Sequence, residues 1–446
     1  MTVRDRELAL WFLSGAVAGA AGTVVARALR PRRGLDPRLV RGSRDDPRLP
    51  TTIVLPGILG TQLLRPDGAQ AWLNLGNALG HHDLSLPARL PLAESHDDLV
   101  PAGLIGVDAV LPRLAGFTEY ADLLELLNDA GFRRDPPPRT RGAAFRVFGY
   151  DWRLDLVETA RALDRYLDRL CEAHGDPGAR FNLIGHSMGG LLARYYLRYG
   201  GAEPGGPVTW AGARRIHTVV LVATPSQGSV YALDVLLNGE RVGLSYATLA
   251  GPVIATMPSI YQLLPPSGTP ALLGPDLQDV AADLHDPDTW RRFGWGPFDT
   301  GSPQTATATE ERRAFTAAAL QRAREFHAAL DREPAAPCPS RVVLAGGDCL
   351  PTLGRAILSR PEGRLRFEPE SPAEAEAMLE AGDGRVTRAS VLAEPGLRGG
   401  TGPSSIPEVD ATFFSAADHH GVYRDSAFQS LLLRELLRPV PLTATR

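Results

Sequence analysis

Phe181-Asn182-Leu183-Ile184-Gly185-His186-Ser187-Met188-Gly189-Gly190-Leu191-Leu192-Ala193-Arg194-Tyr195-Tyr196 is the stretch that decides the fold. An apolar run of strand type leads into Gly-x-Ser-x-Gly, and a helical apolar pattern follows at once. A strand that turns directly into a helix puts its central residue in a strained backbone conformation. Side chains two positions to either side would collide there, and Gly185 and Gly189 stand at those positions. The bend holds the Ser187 hydroxyl up, with the N-terminus of the next helix beneath it. That helix end offers a positive partial charge to a developing oxyanion. A plain turn serine is the bland alternative, and the strand–bend–helix context weighs against it.

Outward from this bend, short apolar runs alternate with helical patterns. Strands are expected at 52–55, 146–148, 181–184, 218–222, 341–344 and 411–414, and helices at 118–130, 154–172, 188–199, 311–331 and 426–437. The alternation predicts an α/β fold, a mostly parallel central sheet with helices on both faces. Two long stretches break the rhythm, 62–138 with Trp72, several prolines and one clear helix, and 227–309, rich in Pro, Gly and aromatics, and they read as cap or lid insertions. Residues 355–403 are weakly hydrophobic and are expected to be partly irregular. The expected layout is a membrane-associated helix in 1–30, a linker in 31–50 rich in Pro, Gly and charge, and one hydrolase-type domain over 51–446 with its insertions.

Composition excludes several classes. With 446 residues, 44% of them hydrophobic, the chain can bury a large core. A net charge of -4 and the absence of any long basic run argue against a nucleic-acid partner. Every basic residue is arginine; without lysine, Schiff-base chemistry and a Ser-Lys dyad are excluded. Cys171, Cys338 and Cys349 make neither a disulfide framework nor a CxxC zinc site, so no metal and no cofactor are expected. His81-His82-Asp83 reads as an exposed polar turn rather than a metal site. Residues 8–26 are uncharged and long enough to span a bilayer, and Arg27, Arg30, Arg32 and Arg33 follow. A cytoplasmic body with a membrane-associated segment is the favoured reading; a cleaved signal, and hence secretion, or a soluble helix are the alternatives.

A serine hydroxyl needs a base oriented by a carboxylate, and on such a fold these follow the serine in the order acid, then histidine. Of the histidines after Ser187, only His419 and His420 lie just beyond the last expected strand. His419 is favoured, because Val422 can then anchor the loop. Two acids fit by position: Asp383 in Gly382-Asp383-Gly384-Arg385-Val386, and Asp348 directly after the strand at 341–344. Position alone does not choose between them, and glycine-flanked aspartates are often simple turn residues. The oxyanion donors are expected to be the amides of Met188 and of Ile58, the latter in Thr52-Ile53-Val54-Leu55-Pro56-Gly57-Ile58-Leu59-Gly60.

Five blocks in order resemble the lecithin:cholesterol acyltransferase family, which also holds phospholipid:diacylglycerol acyltransferases and lysosomal phospholipases. They are Pro56-Gly57-Ile58-Leu59-Gly60-Thr61-Gln62-Leu63, Tyr150-Asp151-Trp152-Arg153, the serine bend, Gly382-Asp383-Gly384-Arg385-Val386 and the terminal histidine. The resemblance runs over about residues 50–435 and is thin between blocks. It implies the α/β-hydrolase fold. It also implies Asp383 as the acid, because Gly347-Asp348-Cys349-Leu350-Pro351-Thr352 matches the segment before it. Asp151 and Arg153 read as a structural ion pair. The chain departs from the secreted members in having no cysteine between Gly57 and Asp151, although Trp72 sits in a similar lid-like place. Ile58 replaces an acidic residue that some phospholipase members carry. The chemistry carries over from the resemblance; phospholipid or sterol specificity does not.

Together these readings predict a serine-dependent hydrolase or O-acyltransferase for lipid-like acyl esters, acting through an acyl-enzyme, with a membrane surface as a further partner. A peptidase or thioesterase on the same fold, and a non-catalytic binding protein lacking a triad member, are the competing classes.

Overall fold

The computed structural model describes residues 44–72, 84–105, 119–137, 140, 142–242, 245–299, 310–359, 363–393 and 409–441. The expected helix at 8–26, most of the linker and the His81-His82-Asp83 turn lie outside the described residues. Among the described residues, no helix is long and apolar enough to cross a membrane.

Seven strands form the central sheet: β1 (Thr51–Leu55), β2 (Arg133–Arg134), β3 (Ala144–Val147), β4 (Phe181–His186), β5 (Ile216–Val222), β6 (Arg341–Gly347) and β7 (Ala411–Ser415). Their spatial order is β7-β6-β5-β4-β1-β3-β2, and every neighbouring pair is parallel. Side chains alternate across a strand, so the inner strands β1, β4, β5 and β6 each feed two cores. Ile53, Leu55, Leu183, Val219, Leu221 and Leu344 pack on one face, and Val54, Ile184, Val220, Val222, Val343 and Ala345 on the other. Burial on both faces explains why these strands read as continuous apolar runs rather than alternating ones.

Helices α1 (Glu119–Asp129), α2 (Leu156–His174), α3 (Met188–Tyr199), α4 (Val230–Asn238), α5 (Glu310–Asp331) and α6 (Ser426–Leu436) complete the layers. Residues of α2, α3, α4 and α5 join the first core, whereas those of α1 and α6 join the second. Caps set the ends of α2: Asp155 accepts the amide of Val157 at 3.1 Å, and Gly175 ends the helix at φ 66°.

Among the described residues the expected strands and helices all form, with ends displaced by at most a few residues. β2 was not foreseen, because a two-residue edge strand of arginines carries no apolar signal. Two further differences concern the interruptions. The described part of 355–403 is more regular than expected: Leu379–Gly382 pairs with Leu350–Leu353, Ala356–Ser359 pairs with Arg364–Arg366, and short helices cover Pro372–Met378 and Arg388–Leu392. Their strands are short and half-exposed, so they lack the hydrophobic run that marks a central strand. In the first interruption, Thr61–Leu64 pairs with both Gln70–Trp72 and Val100–Leu104. Trp72 is fully buried there, edge-on to Trp152 at 5.7 Å between ring centres.

Arg153 forms the expected pair with Asp151 at 2.7 Å and adds one that was not expected, Asp97 at 2.7 Å. The guanidinium is fully buried and also donates to the Leu84 carbonyl at 3.2 Å, so it ties segment 84–105 to the sheet. Its donors match two carboxylates and a carbonyl, which offsets the cost of burying the charge.

A second buried polar feature sits where 245–299 packs on α5. The His285 and His327 rings stack with centres 5.5 Å apart. Burial, with the neighbouring His327 and Arg324, pushes His285 from 6.5 down to about 2. Burial also lowers His327, against the opposing pull of Asp331 and the Gln262 carbonyl, to about 4. Above pH 6.5 both rings are neutral in the folded and unfolded chain alike. As pH falls below 6.5, the unfolded chain takes up protons that the folded chain refuses, so stability drops until the folded values are reached. Each histidine contributes a slope of about 1.4 kcal/mol per pH unit in that window. Thermal denaturation between pH 7 and pH 5 is expected to show a falling midpoint, with a visibly shallower fall in His285→Leu; parallel curves for the two proteins would refute it.

Candidate active site

Ser187 sits between β4 and α3 at φ 52°, ψ -122°, a conformation that side chains rarely adopt. Its amide donates to the Val222 carbonyl at 2.8 Å, which fixes the bend to β5. The two glycines are sterically required. A methyl on Gly185 would lie 2.7 Å from the Gly189 carbonyl oxygen, and one on Gly189 would lie 2.3 Å from that of Leu55 and 2.5 Å from that of Pro56. The close approach of α3 to the end of β1 brings the Pro56–Gly60 loop beside Ser187. Met188 takes the first position of α3, where a backbone N–H has no acceptor within the helix.

The C-terminal end of the chain returns to this bend through β7. His419 follows it, and His419 Nδ1 lies 2.8 Å from Asp383 Oδ2. The backbone reinforces this contact, because the His419 amide donates to the Asp383 carbonyl at 2.9 Å. The other carboxylate oxygen, Oδ1, accepts the amides of Arg385 at 3.0 Å and Val386 at 2.8 Å. Burial alone would raise the Asp383 carboxyl; the His419 charge and hydrogen bond and the two amides outweigh it and hold the group below its usual range. Asp383 and His419 are both buried.

Ser187, His419 and Ile58 line one cavity of about 70 Å³, together with Leu59, Trp152, Val235, Leu249, Met257 and Ile260. Its wall is predominantly apolar. The volume is well below the ~300–1,000 Å³ of ordinary small-molecule pockets, so a long chain can enter only if the wall shifts. The 227–309 stretch, expected as a cap, supplies much of this wall.

Asp348, the positional alternative to Asp383, is engaged elsewhere: its carboxylate accepts from the Cys349 thiol at 3.2 Å and lies 3.8 Å from Arg388. His420 donates its amide to Asp418 at 3.1 Å, whereas His419 is the one on the cavity.

Sequence reasoning missed the supports behind the site. The Gly57 amide donates to Tyr120 Oη at 2.7 Å, Tyr120 Oη lies 2.9 Å from His186 Nδ1, and His186 Nε2 lies 3.2 Å from the His419 carbonyl oxygen. One chain of hydrogen bonds thus runs from the Ile58 loop to the His419 loop. On a third side, the Trp72 indole N–H donates to the Leu59 carbonyl at 2.9 Å, and Tyr150 Oη donates to the Pro56 carbonyl at 2.6 Å. His186 carried a signal, its place next to Ser187; Tyr120, in an ordinary amphipathic helix, carried none.

The family model described as lecithin:cholesterol acyltransferase matches residues 98–328, just over half of the chain. The chain belongs to the lecithin:cholesterol acyltransferase family. The match takes in Tyr150-Asp151-Trp152-Arg153 and the serine bend, as the resemblance had implied. Among curated proteins, phospholipid:diacylglycerol acyltransferase of Saccharomyces cerevisiae is 30% identical over 136 residues, 28% of this chain and 19% of that protein. A 3-dehydroquinate synthase of Aeropyrum pernix is 37% identical over 89 residues, 20% of this chain and 24% of that protein. The matched stretches therefore span a quarter or less of either relative. Among solved structures, the Tle4-Tli4 complex aligns with a TM-score of 0.52 at 16% identity, covering 87% of this family member and 98% of that chain. That likeness concerns the fold, which is the α/β-hydrolase fold.

The close packing at Gly189 is directly testable. Gly189→Ala is expected to destabilise this family member by a few kcal/mol, roughly the cost of overpacking a rigid backbone contact. Gly103→Ala, whose methyl meets nothing nearer than 3.8 Å, should stay within about 0.5 kcal/mol of the parent. Urea denaturation of the two variants beside the parent checks both.

Proposed function

We propose that the chain is a serine-dependent acyl-ester hydrolase or O-acyltransferase that works on lipid-like esters through an acyl-enzyme. The observation that carries this reading is the 2.8 Å contact from His419 Nδ1 to Asp383 Oδ2, made by a histidine that shares its cavity with the strained Ser187.

In this reading Ser187 attacks the ester carbonyl while His419 takes the hydroxyl proton through Nε2. Asp383 keeps the ring in the tautomer with Nδ1 protonated and stabilises the imidazolium that forms. The amides of Met188 and Ile58 hold the oxyanion, aided by the N-terminus of α3. His419 then returns the proton to the departing alcohol. Water resolves the acyl-enzyme in a hydrolase, and a second hydroxyl in a transferase. The apolar wall of Val235, Leu249, Met257 and Ile260 suits an acyl chain, and the absence of lysine leaves histidine as the base. Family membership supports the acyl-transfer class. We take residues 51–446 as one hydrolase domain whose 227–309 insertion caps the pocket.

Ser187→Ala is expected to leave below about 1% of the parent kcat/KM with the fold intact by circular dichroism. A fluorophosphonate should label the parent and not the variant. A panel of p-nitrophenyl esters, thioesters and peptides assigns the class: turnover of the oxygen esters above the others supports the reading, and a preference for thioesters or peptides overturns the substrate class. Incubation with acyl-ester vesicles, with and without a long-chain alcohol, separates transfer from hydrolysis.

A further inference from the structure

Besides His419, the cavity wall carries one ion pair among the described residues, Arg385 with Glu240, which meet at 3.2 Å. Arg385 lies two residues after Asp383, and Glu240 lies just after α4, in the cap. The pair belongs to a larger junction. Tyr231 Oη donates to the second Glu240 oxygen at 2.8 Å, and the Arg385 guanidinium lies 4.8 Å from the centre of the Tyr231 ring. The Ser229 hydroxyl donates to the Arg385 carbonyl at 2.6 Å and accepts the Tyr231 amide at 3.2 Å. Ser229, Tyr231 and Glu240 thus grip both the main chain and the side chain of Arg385.

The loop they grip sets the acid. Asp383 Oδ1 depends on the amides of Arg385 and Val386, and Gly384 bridges the turn at φ 91° with its amide donating to Thr352 Oγ1 at 2.8 Å. A shift of Arg385 therefore moves the donors of Oδ1, and with them the oxygen that faces His419. The Glu240 side chain is only 7% exposed, whereas Arg385 is 33% exposed, so loss of Arg385 strands the buried Glu240 charge. An anion-binding role fits less well, because Glu240 and Asp383 both oppose the Arg385 charge.

We propose that Arg385 is a positioning residue that couples the cap to the catalytic acid: held by Ser229, Tyr231 and Glu240, it keeps Asp383 oriented toward His419. This rests on the acyl-transfer reading above. Because α4 also lines the cavity, the wall that a long acyl chain must displace is the same wall that steadies the acid. Cap position and acid geometry change together.

The test measures kcat and KM separately on p-nitrophenyl acetate, an ester too short to need the cap for binding. Arg385→Ala is expected to lower kcat about tenfold or more with KM within about twofold, and Arg385→Lys to recover part of the loss. Arg385→Ala combined with Glu240→Gln should be no worse than Arg385→Ala alone, since the two act as one unit. A loss confined to KM, additive losses in the double variant, or an unchanged kcat would each overturn the proposal. If Arg385→Ala does not fold, Tyr231→Phe, which removes a single hydrogen bond to Glu240, is expected to lower kcat about twofold, and an unchanged kcat there overturns it equally. Fluorophosphonate labelling separates the two claims. An unlabelled parent would sink the acyl-enzyme reading itself, whereas a labelled parent with unaffected variants would sink only the role of Arg385.

Discussion

At Gly189 the helix after Ser187 meets the carbonyl oxygens of Leu55 and Pro56 with no space for a side chain. That contact brings the end of β1 against the start of α3, so the Ile58 loop and the Ser187 bend are neighbours by construction. Ser187 pays for the closeness in backbone strain, φ 52°, and the parallel sheet beneath it supplies the restraint. The Ser187 amide bonds to Val222 on one side while β1 pairs with β4 on the other. A strained residue persists only where its surroundings over-determine it, and here three consecutive strands do so.

Around this bend, three loops from distant parts of the chain are fastened by hydrogen bonds as well as by apolar packing. Gly57, Tyr120, His186 and the His419 carbonyl form one line, and the amide-bound Asp383 carboxylate meets the His419 ring from the other side. Directional bonds suit such a junction, since they set the angle of an imidazole in a way that non-directional burial does not. The apolar cavity wall contributes dryness, which strengthens every one of these contacts.

The legibility of the chain follows from the same physics. Fully buried parallel strands and long amphipathic helices leave strong local patterns, and they stood in the sequence nearly residue for residue, as with α3 at Met188–Tyr199. β2 and the small antiparallel pairs in 350–382 left little trace, because short half-exposed strands obtain their stability from partners elsewhere. Trp72 stands out in the sequence, but its burial and its bond to the Leu59 carbonyl are visible only in three dimensions. Asp97 could not be foreseen as a partner of Arg153, since nothing local links residues so far apart in the chain.

What the sequence determined by itself was the strand–bend–helix at Ser187, because sterics two residues to either side demand glycine and leave a local signature. It also determined the class of fold, through apolar periodicity, and it narrowed the candidate acid and the candidate base to two residues each. The resemblance favoured Asp383, and loop position favoured His419; only tertiary structure shows the contacts, in which Asp383 meets His419, Asp348 meets Cys349, and His419 rather than His420 lines the cavity. The hydrogen bonds of Tyr120 and His186, and the grip of the cap on Arg385, likewise exist only in three dimensions. The physical reason is that backbone conformation is set over a few residues, whereas an ion pair or a hydrogen bond depends on two groups that only the folded chain brings within about 3 Å.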